Sequence, residues 1–285
     1  MPNTVSRLSR DSRGEGRDQG IAGARLHYNA MVRPLQLRAR IRRSVPGGRL
    51  QVSAIIAAYN EEQTIAGVLS ALQRSSLIDE IIVVSDGSTD RTVEIARHHG
   101  VQTISLFHNQ GKGYAMRMGV EYAKGEVLFF VDGDMLDITD EHVQALVRPV
   151  LEGKCEMNVG VRHRGAFLDF FHLRLNFGPV LSGIRVMTRE VFRSVPVQYL
   201  ERFKIELALN YFCKRSGLRQ RNTVIRDLGH VTKEKKRGFG SGFVSRWAMT
   251  REVILLHFDL YVFQSWKWST PTERPRVDYE RYETR

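Results

Sequence analysis

The chain has 285 residues, of which 42% are hydrophobic and 26% charged, and its formal net charge is +12. This composition excludes a fibrous or wholly disordered protein, and the two cysteines are too few for a disulfide framework. The sequence contains neither a run of 18 apolar residues nor an apolar stretch near Met1. We therefore expect no membrane-spanning helix, no secretory signal and a cytoplasmic location.

The start of the chain is rich in arginine. The first 50 residues contain eleven arginines and only three acidic residues, without a hydrophobic periodicity. We predict that residues 1–48 form a largely disordered leader, although organelle transit peptides share part of this composition. Because the leader lacks interleaved aromatic residues, we expect no nucleic-acid partner.

From Gln51 onward, short apolar runs alternate with amphipathic segments. The runs predict strands at 52–58, 80–85, 101–106 and 126–131, with a helix after each of the first three. Strands that alternate with helices in this way form a parallel α/β sheet, and ligands bind such a sheet at the carboxyl ends of its strands.

Polar motifs follow each of these four runs. They are Tyr59-Asn60-Glu61-Glu62, Asp86-Gly87-Ser88-Thr89-Asp90, Asn109-Gln110-Gly111-Lys112-Gly113 and Asp132-Gly133-Asp134. Each one alone is also ordinary turn or helix-start sequence. Together, at consecutive strand ends, they offer short hydrogen-bond acceptors, a cation and paired carboxylates, which is what a nucleotide requires.

The pair Asp132 and Asp134 points to a particular chemistry. Two carboxylates one residue apart at a strand end are hard oxygen ligands that can hold a divalent cation against a diphosphate. The motif therefore favours a nucleotide-sugar site.

The four motifs, in this order, resemble those of the GT-A glycosyltransferases of the family-two type. The resemblance implies a GT-A fold, which is a Rossmann-like, mostly parallel α/β sheet with flanking helices. It also implies Mg²⁺ or Mn²⁺ and a set of site residues. These are Ala58, Tyr59, Glu61, Asp86, Lys112, Asp132 and Gly133 for the donor nucleotide, and Asp134 and His230 for the metal.

Further candidates lie downstream. The segment 180–187 resembles the floor of the family's sugar pocket, where Gly183 would leave room for the donor. Glu206 stands where the family often places its catalytic base, although it is equally well explained as a charged residue on an amphipathic helix. Arg162 and Lys233 are candidates for binding the sugar or acceptor, and a solvated basic loop is the alternative for Lys233.

The chain divides into four predicted regions. They are the leader 1–48, a GT-A catalytic domain at 49–238, an aromatic amphipathic helix at 239–268 and a mobile tail at 269–285. The helix suits a peripheral contact with the inner face of a membrane, a second subunit in a homodimer, or the protein's own core.

The predicted function is metal-dependent, inverting transfer of a hexose from a UDP- or GDP-sugar. We expect the acceptor to be a polyprenyl phosphate, or a small phosphorylated molecule as in glucosyl-phosphoglycerate synthases. The alternatives are a nucleotidyltransferase and a non-catalytic nucleotide-binding module. A Gly-rich loop after the first strand is usual in nucleotidyltransferases, and this chain has Tyr59-Asn60-Glu61-Glu62 there.

Overall fold

Apolar runs form the centre of the molecule. A computed structural model describes residues 49–162, 182–196, 199–200, 204–226, 229–230 and 279–282. The strands in these ranges are β1 (Val52–Ala58), β2 (Glu80–Ser85), β3 (Gln102–Leu106), β4 (Val127–Asp132), β5 (Met135–Leu136), β6 (Met157–Arg162), β7 (Arg185–Thr188), β8 (Gln220–Ile225), β9 (Gly229–His230) and β10 (Tyr279–Tyr282). The helices are α1 (Ile65–Arg74), α2 (Thr92–His98), α3 (Lys112–Tyr122), α4 (Asp140–Leu151), α5 (Arg189–Arg193) and α6 (Lys204–Arg215).

Eight of the strands form one mostly parallel sheet. Their order is β10-β3-β2-β1-β4-β7-β6-β8, and β5 pairs separately with β9. Strands β3, β2, β1 and β4 are parallel, β7 lies antiparallel between β4 and β6, and β8 is parallel to β6. The predicted α/β class is confirmed, and the carboxyl ends of β1, β2, β3 and β4 meet at one edge of the sheet.

Both faces of the sheet are covered. On β1, Ile55 belongs to the cluster that packs under α3 and α6, whereas Ala54 and Ile56 belong to the cluster under α1 and α4. The contact with α3 is close, since a Cβ atom added to Gly119 would lie 2.3 Å from Ile55 Cγ2. Burial on both faces explains why β1 and β4 are nearly continuous apolar runs.

The four predicted strands are confirmed to within one residue at each end. The antiparallel strand β7 was not predicted, because its four residues carry no period that distinguishes a parallel from an antiparallel strand. Within the region predicted to be a mobile tail, Tyr279–Tyr282 forms a strand that pairs antiparallel with β3. The leader 1–48 and the predicted helix 239–268 lie outside the described residues.

No helix in the described ranges is both long and apolar enough to cross a membrane.

Candidate nucleotide-sugar site

The loops that follow β1 and β2 are joined by hydrogen bonds. Asn60 has a left-handed backbone, with φ of 55°, and its Oδ1 accepts from the Thr89 N–H at 2.9 Å. In return, the Asn60 N–H donates to Ser88 Oγ at 3.1 Å, and the Glu61 N–H donates to Thr92 Oγ1 at 2.8 Å. The first two motifs therefore form a single unit at the sheet edge.

The Asp-Gly-Asp turn lies against the end of β1. Thr64 Oγ1 donates to the Gly133 carbonyl at 2.7 Å. A Cβ atom at Gly133 would lie 3.2 Å from Glu61 Cγ and 3.3 Å from Ala58 Cβ, so a side chain there would displace these neighbours by a few tenths of an ångström. The structure thus brings Ala58, Glu61 and Gly133 together, as the sequence predicted for residues of one nucleotide pocket.

Asp86 anchors the loop that leads into α3. Its side chain is buried, with Oδ1 accepting from the Gln110 N–H at 2.7 Å and Oδ2 from the Gly111 N–H at 2.8 Å. Burial raises the pKa of Asp86 above its ordinary value, although the two N–H donors act in the opposite direction. The carboxylate therefore fixes the start of the Lys112 helix, in addition to any contact with a base.

Lys112 joins the strand-end motifs to a distant helix. Its Nζ lies 2.7 Å from Asp132 Oδ1 and 2.8 Å from Glu206 Oε1. Burial lowers the pKa of Lys112, but the carboxylates of Asp132 and Glu206 outweigh it, so the pKa is raised and the ammonium stays charged. A fixed positive charge therefore stands beside the first aspartate of the Asp-Gly-Asp motif.

Gly183 leaves room for a protein side chain. A Cβ atom at this position would lie 1.9 Å from Asp132 Oδ2. The immediate neighbour of Gly183 is therefore the Asp132 carboxylate. Ser182 Oγ donates to the Gly160 carbonyl at 2.5 Å and so ties this turn to β6.

The two predicted metal ligands are brought close by the backbone. Strand β5 follows Asp134 directly, and it pairs antiparallel with β9 so that Met135 lies opposite His230. Among the described residues there is no ready cluster of three or more His, Cys, Asp or Glu side chains for a metal ion. Mg²⁺ commonly takes one or two carboxylates and completes its shell with substrate phosphates, so Asp134 fits such a role.

For Tyr59 and Arg162, two of the remaining predicted residues, the structure gives their positions along the chain and the sheet. Tyr59 follows β1 directly, at the same sheet edge as the motifs above. Arg162 is the last residue of β6, and its backbone lies opposite Ile225 of β8. Lys233 lies outside the described residues.

One charged residue near the site was not predicted. Arg185 is fully buried on β7, and its guanidinium donates to the backbone carbonyls of Ser182 and Glu206. The available signal was an arginine within the otherwise apolar run Ile184-Arg185-Val186-Met187. By its sequence, this run indicates only the floor of a pocket.

The chain is similar to known glycosyltransferases. The family Glycosyl transferase family 2 matches residues 53–199, which is just over half of the chain. Among curated proteins, a dolichyl-phosphate beta-glucosyltransferase of Drosophila melanogaster is 42% identical over 101 residues, which cover 30% of this chain and 31% of that protein. A 4,4'-diaponeurosporenoate glycosyltransferase of Staphylococcus haemolyticus is 35% identical over 104 residues, covering 34% of this chain and 28% of that protein.

Among solved structures, glucosyl-3-phosphoglycerate synthase from Mycobacterium tuberculosis has a similar fold. Its complex with Mn²⁺, UDP-glucose and phosphoglyceric acid superposes with a TM-score of 0.61 and 26% identity, over 74% of this chain and 79% of that one. The matches to the two curated relatives cover less than a third of those proteins' length. The family match and the superposition together show that the chain belongs to glycosyl transferase family 2 and has the GT-A fold.

Proposed function

We propose that the protein transfers a hexose from a UDP-sugar to an acceptor that carries a phosphate group, with inversion at the sugar carbon. The observation that carries this proposal is the cluster at the sheet edge. There a charged lysine, Lys112, lies within hydrogen-bond distance of both Asp132 of the Asp-Gly-Asp turn and Glu206 at the start of α6. The nucleotidyltransferase and the non-catalytic module are not favoured, because the family match supports glycosyl transfer.

Asp134 would hold the divalent cation, with His230 as the second candidate ligand. When bound there, Mg²⁺ or Mn²⁺ supplies Lewis-acid stabilisation for the negative charge that builds on the departing diphosphate. Solved structures of the related synthase contain Mn²⁺ or Mg²⁺ together with UDP, which supports this choice of metal and base.

Lys112 supplies a second positive charge at the same place. Its ammonium is already oriented by Asp132 and Glu206, so little reorganisation is needed when a diphosphate arrives. A preorganised cation lowers the energy of a transition state in which negative charge grows on the leaving group. We therefore assign Lys112 to the donor side of the reaction.

The ion pair between Glu206 and Lys112 favours a phosphate acceptor. Its Oε1 already accepts from Lys112 Nζ at 2.8 Å, and its side chain is only 12% exposed. To take a proton from a hydroxyl acceptor, Glu206 would have to use Oε2 or release the ammonium from Oε1. A phosphate acceptor is already anionic near neutral pH and needs no such base. The name of one related enzyme, a dolichyl-phosphate beta-glucosyltransferase, supports a phosphate nucleophile. The phosphoglyceric acid bound to the related synthase carries a phosphate but also offers a hydroxyl group.

The first test is a thermal-shift titration of the full chain with UDP, GDP and their hexose conjugates, with and without Mn²⁺. A ligand at 100 times its dissociation constant stabilises the folded state by about 2.7 kcal/mol. We therefore expect a shift of several degrees with UDP and Mn²⁺ together, and little with either alone. The absence of a shift with every nucleotide would overturn the proposal.

The second test identifies the acceptor. UDP-[¹⁴C]glucose and other labelled UDP-hexoses are incubated with a short polyprenyl phosphate, with phosphoglyceric acid, or with the unphosphorylated alcohol of each. We expect label in a phosphorylated acceptor only. Equal transfer to an alcohol would contradict the phosphate assignment and return Glu206 to the role of a base.

A further inference from the structure

Arg185 is a fully buried arginine near Asp132, Lys112 and Glu206, which together form the strand-end cluster. It lies on β7, between β4 and β6, and its side chain is 0% exposed. Its neighbours on the strand, Val186 and Met187, have buried apolar side chains. Burial of a guanidinium has a large desolvation cost, so a charge at this position needs specific partners.

The partners of Arg185 come from two separate segments. Nε and Nη2 donate to the Ser182 carbonyl at 3.1 Å and 2.6 Å, and Nη1 donates to the Glu206 carbonyl at 3.3 Å. Ser182 belongs to the turn before β7, and Glu206 lies in the first turn of α6. The planar guanidinium suits this task, because its donors point in fixed directions.

Both segments contribute to the site. The turn contains Gly183, which lies against the Asp132 carboxylate, and the helix presents Glu206 to Lys112. The charges are also coupled, since burial lowers the pKa of Arg185 while the carboxylates of Glu206 and Asp132 oppose this effect. Arg185 thus contacts the backbone on both sides of the cluster without lying in it.

We propose that Arg185 is a positioning residue for sugar transfer. It holds the turn 182–184 and the first turn of α6 in the arrangement that keeps Asp132, Lys112 and Glu206 together. The expected effect on sugar transfer rests on the proposed function. The expected effect on the arrangement of the two segments does not, because it can be measured without substrate.

The test compares Arg185→Met with Arg185→Lys and with a matched control, Arg189→Met. Arg189 is a partly buried arginine that, like Arg185, donates to backbone carbonyls. Its partners are the carbonyls of Val120, Ala123 and Gly125. It follows the end of β7 that lies opposite Val127, away from the strand-end cluster. Both methionine variants remove a guanidinium that donates to backbone carbonyls, so they separate a general loss of stability from a loss of positioning.

The first measurement is hydrogen exchange of the full chain without ligands. We expect Arg185→Met to increase exchange in residues 182–186 and 204–210, and Arg189→Met to increase it in 119–126 instead. The second measurement is steady-state kinetics with UDP-sugar and Mn²⁺. Because a displacement of about 1 Å can cost about a hundredfold in rate, we expect Arg185→Met to lower kcat about a hundredfold while the donor KM changes little. Arg185→Lys should recover part of kcat, since lysine keeps the charge but cannot hold two carbonyls in a fork.

Each outcome decides a separate point. Unchanged exchange at 182–186 and 204–210 overturns the positioning role. Increased exchange in Arg185→Met with an unchanged kcat would mean that Arg185 has only a structural role. The same conclusion follows if Arg189→Met loses as much kcat as Arg185→Met. If Arg185→Met does not fold, the exchange and kcat of Arg185→Lys decide the matter. If the parent protein transfers no sugar but the exchange pattern is as expected, the proposed function fails and the positioning of the cluster stands.

Discussion

The two halves of the sheet supply their site residues in different ways. In the half formed by β3, β2, β1 and β4, each strand end leads into a contiguous polar motif, and neighbouring motifs are hydrogen-bonded to each other. In the half formed by β7, β6 and β8, the contributions are single residues, namely Gly183, Arg185 and Glu206.

This difference reflects two kinds of constraint. A motif at a strand end has to build a loop of defined shape, so several consecutive residues are specified together. A residue that only packs against an existing carboxylate or carbonyl is specified alone. The nucleotide half can therefore be recognised along the chain. In the other half, Gly183 and Glu206 are candidates only through the family resemblance, and their contacts with Asp132 and Lys112 require the structure. Substitutions in each half can test whether the two act as one site.

Removal of the metal carboxylate should have the largest effect. A bound cation contributes several kcal/mol to transition-state stabilisation, so Asp134→Asn should lower kcat/KM about a thousandfold. The variant should also lose the Mn²⁺ dependence of UDP binding. Kinetics and thermal shifts with UDP, with and without Mn²⁺, measure both effects.

Asp137→Asn is the matched control for this experiment. Asp137 is exposed, lies three residues further along, and has a φ of 58° that asparagine tolerates. It should retain full activity. Turnover by Asp134→Asn close to that of the parent would exclude Asp134 as the metal ligand.

The contrast between the halves also explains what the sequence could predict. The strands β1 to β4 and their polar ends were predictable because apolar runs and turn residues are local signals. The contact between Lys112 and Glu206 joins residues 94 positions apart. It depends on where α6 packs and on the antiparallel insertion of β7 between β4 and β6, which no local pattern specifies. The same holds for Arg185 and for the neighbour of Gly183.

The ion pair between the halves gives the next largest expected effect. Lys112→Met removes the cation between Asp132 and Glu206, so we expect kcat/KM to fall about a hundredfold, as when one preorganised donor is lost. It should also lower stability, because two partly buried carboxylates are left without their shared cation.

A double-mutant cycle tests the coupling directly. The stability loss in Lys112→Met should be partly reversed when Glu206→Gln is added, because glutamine removes one of the unpaired charges. Urea denaturation of the parent, both single variants and the double variant gives the coupling free energy. Simple additivity would show that the two halves are not linked through this pair.

A smaller effect is expected when one methyl group is added at Gly183, in the half of the sheet formed by β7, β6 and β8. The Cβ of Gly183→Ala would overlap Asp132 Oδ2 at 1.9 Å, so the Asp132 carboxylate or the turn must move. We expect kcat/KM to fall about tenfold through this displacement. Gly67→Ala is the control, since a Cβ atom there meets nothing within 4 Å and alanine favours a helix. Normal kinetics in Gly183→Ala would indicate that the turn can relax without disturbing Asp132.

The smallest effect concerns the pH dependence of stability in the nucleotide half. Burial raises the pKa of Asp86 above its ordinary value of 3.8, so the folded protein binds this proton more readily than the unfolded chain. Its contribution to stability is therefore fully present below pH 3.8 and is lost as the pH rises through the raised pKa. Asp86→Asn cannot bind this proton, so the free energy of unfolding of the parent minus that of the variant, measured by urea denaturation, should fall as the pH rises through this range.

Glu152→Gln provides a comparison of opposite sign. The hydrogen bond from Lys154 lowers the pKa of Glu152, so its contribution is present at higher pH and is lost as the pH falls through the lowered pKa. The two difference curves should therefore slope in opposite directions at acidic pH. If the Asp86→Asn curve sloped like that of Glu152→Gln, the N–H groups of Gln110 and Gly111 would outweigh burial. Asp86 would then stay charged to a lower pH in the folded protein than in the unfolded chain.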